Sequence, residues 1–261
     1  MKKAVLCFFT VFIINFCFAQ QDLSLGKIYQ LPSQVLNENR VLNIYTPEGY
    51  NADSAKTYPV IYLLDGSVNE DFIHITGLVQ FLTMIEATPK SIVIGIANVD
   101  RRRDFTFPTS VVKDKQDFPT TGSSAKFINF LAEELQPFVE KTFKTNGVKT
   151  VIGQSFGGLL ATEILMKRAS LFNNYIIVSP SLWWDNGSLL KNPTNQTPFK
   201  ANVFISVGEE GKIMKDDAKK LAETLSKSSN LKVGFEFFEK EDHLTILHNS
   251  VYQTLLKMYK K

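Results

Sequence analysis

The sequence predicts an α/β fold built on one eight-stranded, mostly parallel sheet with helices on both faces. Three observations predict it. From residue 25 onward, short β-rich runs alternate with longer helical patterns, as in sheets whose strands are joined by crossover helices. The gaps between the later runs are wide enough for such helices. A chain of 261 residues is also a common length for a single α/β domain.

Eight runs rich in β-branched and aromatic residues are the predicted strands. The first two runs lie too close together for a crossover helix, so we expect them to open the sheet as an antiparallel pair. The runs are Lys27 to Leu31, Arg40 to Tyr45, Val60 to Leu64, Ile92 to Ala97, Lys149 to Ile152, Tyr175 to Val178, Val203 to Val207 and Lys232 to Phe238.

Stretches with apolar residues at spacings of three and four are the predicted helices. They are Phe72 to Glu86, Ser124 to Phe143, Phe156 to Lys167, Lys215 to Ser228 and Leu244 to Tyr259. Two further stretches, Val99 to Thr121 and Pro180 to Lys200, lack this periodicity. Long loops in a compact domain are often functional, so these two are candidates for the walls of a site.

The first 19 residues are typical of a secretory signal peptide. Lys2 and Lys3 precede an apolar run that ends at Ala19, and the run is shorter than the about 20 residues of a membrane span. Both cysteines, Cys7 and Cys17, lie in this segment. We therefore expect residues 20 to 261 to form one secreted or periplasmic domain, with no stable membrane insertion, disulfide, thiolate metal site or cysteine nucleophile. The balance of 29 basic and 26 acidic residues gives no indication of nucleic-acid binding.

A Gly-x-Ser-x-Gly motif, Gly153-Gln154-Ser155-Phe156-Gly157, lies between a predicted strand and a predicted helix. In the α/β-hydrolase fold this motif forms a sharp, strained turn that exposes the serine hydroxyl above the sheet. The turn leaves no room for side chains two residues away from the serine, hence the glycines. Such a motif also occurs by chance, but its position midway through the alternation predicts that Ser155 is the nucleophile of an α/β hydrolase.

Three histidines, His74, His243 and His248, are the candidates for the general base that activates Ser155. In this fold the base follows the nucleophile in the chain and lies after the last strand, which is where His243 is found. His248 lies one turn into the last predicted helix and is expected to be a surface residue. His74 belongs to the helix after the third strand, where it could line the pocket or simply pack against its neighbours.

A carboxylate should accept the second imidazole N–H of His243 and so fix its tautomer. Its usual place is the loop after the penultimate strand, which here contains two glutamates. Glu210 is the first candidate and Glu209 the second. Asp242 and Glu241 precede the histidine, although sequence neighbours seldom approach an imidazole at the right angle. A dyad of serine and histidine without an acid is the remaining alternative.

The tetrahedral intermediate of ester hydrolysis needs two N–H donors for its oxyanion. The first is the backbone N–H of Phe156, the residue after the nucleophile. The second comes from the loop after the third strand, where Gly66 or Ser67 is expected to donate. This chemistry needs neither a metal ion nor an organic cofactor.

Five stretches together resemble the esterase D-like branch of the α/β hydrolases, also called putative esterases, which includes ferri-bacillibactin and other siderophore esterases. The resemblance implies that Ser155 and His243 are catalytic. Many hydrolases have an aspartate where this chain has Glu209 and Glu210, and some siderophore esterases use serine and histidine alone, so the acid stays open. The five stretches are Val41 to Tyr50, Tyr58 to Gly66, Asn98 to Thr106, the serine motif, and Ser179 to Trp184.

The same resemblance suggests which side chains border the substrate. Arg101, Arg103 and Asp104 would do so from one long loop, and Trp183 and Trp184 from the other. The arginines could instead form a solvated surface cluster. For the tryptophans, one ring is expected to pack in the core while the other is partly exposed over the pocket.

The sequence thus predicts a serine esterase that hydrolyses carboxylic esters of a small molecule through an acyl-enzyme. A siderophore trilactone is the first substrate hypothesis, because arginine can pair with anionic catecholates and because the chain carries an export signal. A carbohydrate acetyl or feruloyl ester is the second. The alternative to an enzyme is a non-catalytic protein of the same fold that only binds its ligand. The intact serine, histidine and glycine pattern argues against this alternative.

Overall fold

One eight-stranded sheet forms the centre of the protein in a computed structural model that describes residues 23–191 and 198–260. The order across the sheet is β1-β2-β4-β3-β5-β6-β7-β8. Strand β2 pairs antiparallel with β1 and β4, and the other neighbouring strands are parallel. The predicted fold class and the antiparallel opening pair are confirmed. The strands are β1 (Lys27–Ser33), β2 (Glu38–Tyr45), β3 (Tyr58–Leu63), β4 (Ile92–Ile96), β5 (Thr145–Gln154), β6 (Asn174–Val178), β7 (Ala201–Gly208) and β8 (Leu231–Phe238).

Helices cover both faces of the sheet, as the alternating pattern predicts. Helices α1 and α9 pack on one face, and α4, α5, α6 and α8 pack on the other. The predicted signal peptide lies outside the described residues. The helices are α1 (Phe72–Met84), α2 (Arg101–Phe105), α3 (Val112–Asp117), α4 (Ser124–Phe130), α5 (Gln136–Thr142), α6 (Phe156–Arg168), α7 (Trp184–Lys191), α8 (Gly211–Leu225) and α9 (Ile246–Tyr259).

The helix predicted over residues 124 to 143 is interrupted by a π-helical turn, Leu131–Leu135, between α4 and α5. Pro137 lies at the start of α5, and proline has no N–H to donate into a regular helix. A local π-turn changes the hydrogen-bonding register at that point. The apolar spacing could not reveal the interruption, because the side chains stay on the same face.

Both stretches without periodicity contain short helices. Helices α2 and α3 lie in the first, and α7 lies in the second. Within α7 the backbone of Asp185, Asn186 and Gly187 is left-handed, with φ of 51°, 53° and 69°. This turn breaks the 3.6-residue repeat, which explains why no helical pattern is visible there.

The parallel strands β3, β5, β7 and β8 all end at the same edge of the sheet. Ser67, Ser155, Glu210 and His243 lie in the segments that follow these four strands. Ligands of open α/β sheets bind at this carboxyl edge. The topology therefore brings the candidate nucleophile, base, acid and oxyanion donor to one end of the protein. No helix in the described part of the chain is long and apolar enough to span a bilayer.

Candidate active site

Ser155 lies in a strained turn between β5 and α6. Its φ is 59° and its ψ −118°, a conformation that costs a non-glycine residue about 1–3 kcal/mol. The N–H of Ser155 donates to the carbonyl of Val178 at 3.0 Å, which anchors the turn to β6. A Cβ at Gly153 would lie 2.4 Å from the carbonyl oxygen of Gly157. The first glycine of the motif is therefore required by the close approach of the two backbone segments.

His243 is held by a buried carboxylate. Its Nδ1 lies 2.5 Å from Oε2 of Glu210, whose side chain is only 3% exposed. The other oxygen of Glu210 accepts hydrogen bonds from the Ser179 hydroxyl and from the N–H of Gly208. Burial raises the pKa of Glu210, but the hydrogen bonds from His243, Ser179 and Gly208 outweigh burial and hold the pKa below its usual value. The ionised carboxylate accepts the Nδ1 proton and leaves Nε2 free to act as a base.

The other three carboxylates considered for the acid have different partners. Glu209 is half exposed and binds Nζ of Lys215 at 2.7 and 2.8 Å. Asp242 accepts two backbone N–H groups just ahead of α9, and Glu241 binds a side chain of α9. Of the candidates, the structure thus brings Glu210 to His243.

Ser155 and His243 line the same open cavity, which has a volume of about 510 Å³. The hydroxyl of Ser155 lies 3.3 Å from that of Ser181, and within the described chain this is its hydrogen-bond partner. Among the described residues no hydrogen bond joins the Ser155 hydroxyl to His243, whose side-chain partner is Glu210. The two side chains must therefore approach each other before a proton can pass, and such contacts are often loose before substrate binds. The remaining lining residues are Trp183, Glu209, Glu210, Met214, Asp242 and Leu244.

Three polar residues of this site were not identified from the sequence: Gln154, Ser179 and Ser181. The amide of Gln154 donates to the backbone carbonyl of His243, so the residue before the nucleophile ties the turn to the histidine loop. Ser179 orients the carboxylate of Glu210, and Ser181 contacts the nucleophile. No local pattern marks these residues, because each partner is 26 or more positions away in the chain.

The backbone donors near Ser155 differ in availability. Phe156 is the first residue of α6, so its N–H has no acceptor within the helix. Gly66 was predicted as one possible second donor, but its N–H binds the carbonyl of Ile96 at 2.9 Å. A Cβ at Gly66 would lie 2.4 Å from the nitrogen of Ile96. Glycine is therefore required here because the two backbone segments pass close together, and its N–H is already bonded rather than open to an oxyanion. The N–H of Ser67 makes only a 3.2 Å contact with the carboxylate of Glu70.

Two of the arginines expected at the substrate are held in ion pairs. Arg101 binds Asp65 with Nε and Nη2, at 2.6 and 2.9 Å. Arg103 binds Glu38 at 3.0 and 2.7 Å and also binds Asp104. Two carboxylates of the fold thus neutralise the charge of Arg103, while its side chain stays 31% exposed, so contact with substrate stays a prediction. Arg101 faces the site only indirectly, through a 3.3 Å contact with the carbonyl of Gln154.

Asp104 was predicted at the substrate, and the structure buries it instead. Its side chain is 1% exposed and pairs with Arg40, which is completely buried, as well as with Arg103. A buried carboxylate between two guanidinium groups holds α2 against the sheet. The sequence could not reveal this structural role of Asp104, because its partner Arg40 lies 64 positions earlier in the chain.

Replacing Asp104 with alanine should lower the free energy of unfolding by about 3 kcal/mol, because it leaves a buried arginine short of one partner. Urea unfolding measures the loss. The KM for an ester substrate should not change. Asp117→Ala is the control, since that carboxylate is exposed and paired with Lys113, and exposed pairs contribute at most about 1 kcal/mol. A raised KM with unchanged stability would restore Asp104 as a substrate ligand.

Arg102, the arginine between these two, is exposed and stacks on an aromatic ring. Its guanidinium carbon lies 5.0 Å from the ring centroid of Phe118. Phe118 in turn contacts Phe156 and Trp183, with centroids 5.4 and 6.2 Å apart. Among the described residues no carboxylate pairs with Arg102. Of the three arginines in this loop, it is the one without a carboxylate partner in the described part of the chain.

Trp183 and Trp184 have separate environments, as expected. Trp183 is partly exposed and lines the cavity. Trp184 is fully buried and donates from Nε1 to the carbonyl of Phe107 at 2.9 Å. The prediction that Trp184 borders the substrate is therefore wrong, and its ring is part of the core.

His74 does not line the cavity of Ser155, so that alternative is wrong as well. Its ring lies beside His248, with the two Nδ1 atoms 3.4 Å apart, and its Nε2 lies 3.1 Å from Oδ1 of Asp71. Within the described residues no group of three or more histidine, cysteine, aspartate or glutamate side chains could hold a metal ion.

A larger groove of about 950 Å³ lies at the opposite edge of the sheet, between the end of α1 and the end of α9. Tyr45, Phe81, Met84 and Tyr259 are among its lining residues. Tyr45 pairs with Val93 at the beginning of β4, which places the groove far from the carboxyl edge. It holds no serine or histidine, so size alone does not identify the reactive site.

Comparison with known proteins confirms the resemblance drawn from the five stretches. Residues 33–251 match the family model described as "Putative esterase". The ferri-bacillibactin esterase BesA of Bacillus subtilis (strain 168) is 30% identical over 239 residues, which cover 81% of this chain and 82% of that protein. The crystal structure of an IroE-like serine hydrolase from Shewanella oneidensis has a TM-score of 0.81 at 30% identity. The match covers 90% of this chain and 80% of that hydrolase chain. The siderophore hydrolase EstA from Aspergillus nidulans has a TM-score of 0.78 at 20% identity, covering 93% and 98%, which is a likeness of fold alone.

Proposed function

Since this chain belongs to the putative esterase family, a family of carboxylic ester hydrolases, we propose that it opens a siderophore trilactone through an acyl-enzyme on Ser155. The observation that carries the mechanism is the 2.5 Å contact between His243 and the buried Glu210, in the cavity that also contains the strained serine. A nucleophile, a base and an orienting carboxylate are the parts that acyl transfer requires.

In the first half of the reaction, the Ser155 hydroxyl turns from Ser181 toward His243. Nε2 of His243 accepts the proton as Oγ attacks the ester carbonyl. The tetrahedral intermediate then collapses, the ester C–O bond breaks, and the imidazolium gives its proton to the leaving alcohol. Glu210 stabilises the imidazolium throughout without taking its proton.

The negative charge on the intermediate is held by backbone N–H groups. Phe156 supplies one from the start of α6, where the helix dipole also favours negative charge. Ser67 supplies the second, in place of its contact with Glu70. Loss of one such donor typically costs about 3 to 4 kcal/mol in the barrier. In the second half, a water molecule activated by His243 releases the acid and restores the serine.

The surroundings of the site fit an aromatic, anionic substrate. Trp183 lines the cavity of the nucleophile and contacts Phe118 outside it. Arg102, stacked on Phe118, adds a positive charge that no carboxylate within the described chain neutralises. A catecholate combines a ring that can stack with oxygens that can pair with a guanidinium. The printed name of the relative from Bacillus subtilis, a ferri-bacillibactin esterase, supports the same class.

We also propose that the chain is exported. The charged start and the apolar run that ends at Ala19 support a secreted or periplasmic location, where an enzyme could meet siderophores taken up from the medium. A fusion of the first 25 residues to a reporter enzyme would test it. Reporter activity confined to the cytoplasm would contradict export.

A hydrolysis panel tests the substrate. Ferric and iron-free catecholate trilactones, a feruloyl sugar, an acetylated sugar and p-nitrophenyl acetate should be compared at equal concentration by chromatography. The trilactones are expected to show the highest kcat/KM. In Arg102→Gln, the KM for the trilactone should rise about tenfold, since one charge-assisted contact is lost, while turnover of p-nitrophenyl acetate stays unchanged.

Arg168→Gln is the control for charge, because that arginine lies at the far end of α6 and binds Asn129. It should leave the KM of every ester unchanged. A preference for feruloyl or acetyl sugars would replace the trilactone with a carbohydrate ester. An equal loss for Arg102→Gln and Arg168→Gln would remove Arg102 from the substrate site.

A further inference from the structure

A pair of histidines outside the catalytic cavity joins the beginnings of two helices. His74 is the third residue of α1 and His248 the third residue of α9. Their Nδ1 atoms are 3.4 Å apart and their ring centroids 5.6 Å apart. The two nitrogens therefore lie between the rings and face each other. Both side chains reach solvent, so the space between them is accessible to a small ion.

The separation of the two nitrogens is long for a hydrogen bond and also suits two ligands of one metal ion. Nitrogen donors and acceptors usually lie within about 3.2 Å of each other. In a tetrahedral zinc site, the metal–nitrogen distance of about 2.0–2.1 Å puts two ligand nitrogens about 3.4 Å apart. The observed separation of 3.4 Å equals this ligand spacing.

Asp71 supplies the support that metal-binding histidines usually have. Its Oδ1 lies 3.1 Å from Nε2 of His74, so that nitrogen donates its proton to the carboxylate. In the neutral imidazole that a metal ion requires, the lone pair then lies on Nδ1 of His74 and is directed at His248. A ligating imidazole that donates its other N–H to a carboxylate is the common pattern in metal sites.

We propose that His74 and His248 bind a divalent transition-metal ion of the zinc class through their Nδ1 atoms, with Asp71 orienting His74. Water completes the coordination, because no third protein ligand lies in the cluster within the described chain. Imidazole nitrogens favour zinc, copper and nickel over magnesium and calcium. A bound ion would link α1, which follows the Ser67 loop, to α9, which follows the His243 loop, and so hold both loops of the active site together.

Calorimetric titration of the untagged protein with zinc chloride tests the proposal. One ion should bind per chain in wild type, and His74→Gln and His248→Gln should each weaken binding at least about 100-fold, since each removes one of two ligands. Asp71→Asn should weaken it about 10- to 100-fold. The melting temperature should rise with zinc in wild type and stay constant in the two histidine variants. Their melting temperatures without zinc show that they are folded.

His243→Gln is the matched control, because the chain has three histidines and His243 is the one in the catalytic cavity. It should bind zinc as wild type does. Absence of zinc binding in wild type would overturn the proposal, as would equal affinity in His74→Gln and His248→Gln. Loss of binding only in His243→Gln would place the ion at the catalytic histidine and would also overturn it.

Discussion

Replacing Ser155 with alanine should lower the kcat for p-nitrophenyl acetate at least about 1000-fold, leaving the residual rate that the oxyanion donors and substrate binding provide. The reason is geometric, since Ser155 is the hydroxyl that the strained turn presents in the cavity that His243 also lines. A fluorophosphonate probe measures the same property independently. Mass spectrometry should find the adduct on Ser155 in the wild-type protein and no adduct in the variant.

Ser181→Ala is the control, because its hydroxyl lies 3.3 Å from that of Ser155 in the same cavity. This variant should keep the adduct and lose less than about tenfold in kcat, a smaller effect than loss of a group that forms the covalent bond. Normal turnover in Ser155→Ala would contradict the nucleophile assignment. A wild-type protein that neither labels nor hydrolyses any ester would support the alternative of a ligand-binding protein.

The fold was predictable because strand and helix patterns differ in period, but the strand ends were not. The pattern predicts β5 from Lys149 to Ile152, whereas the strand spans Thr145–Gln154. Thr145 pairs with Tyr58 of β3 although it is not part of a β-rich run. Backbone hydrogen bonding extends the strand beyond its buried residues, and side-chain patterns do not record it.

The central site residues were predictable because each has a fixed place in the order of the chain. Ser155 follows a strand in the middle, Glu210 follows the penultimate strand, and His243 follows the last. The choice between Glu210 and Glu209 was open at the level of sequence, since the two are adjacent. The structure separates them by direction: Glu210 is directed inward to Ser179 and His243, and Glu209 outward to Lys215.

The arginine loop shows why the rest could not be predicted. In the sequence Arg101, Arg102 and Arg103 are equivalent. Their roles depend on partners far away in the chain, namely Asp65 for Arg101 and Glu38 for Arg103. Long-range pairing of this kind is set by tertiary structure. The sequence alone therefore could not show that Arg102 is the arginine of the three without a carboxylate partner in the described chain.

Replacing Glu210 with glutamine should lower kcat about 10⁴-fold, because the neutral amide can hold His243 in the wrong tautomer and does not stabilise the imidazolium. Stability should change with pH in a defined direction. Burial raises the pKa of Glu210, but its hydrogen bonds have the larger effect, so the folded pKa is below the usual value. Ionised Glu210 therefore stabilises the folded protein above the unfolded pKa of about 4.3, and this stabilisation is lost as pH falls through the lower folded pKa. Between about pH 6 and pH 3 the wild-type melting temperature should fall more than that of Glu210→Gln.

Glu209→Gln is the matched control for that variant, since it removes the neighbouring carboxylate from an exposed pair with Lys215. It should keep full turnover and the wild-type dependence of melting temperature on pH. Normal turnover in Glu210→Gln would mean that Ser155 and His243 work as a dyad. The hydrogen bonds of Glu210 to Ser179 and Gly208 would then serve only to hold the loop after β7, and the pH dependence of stability would persist without any effect on kcat. The two measurements together therefore separate a catalytic carboxylate from a structural one.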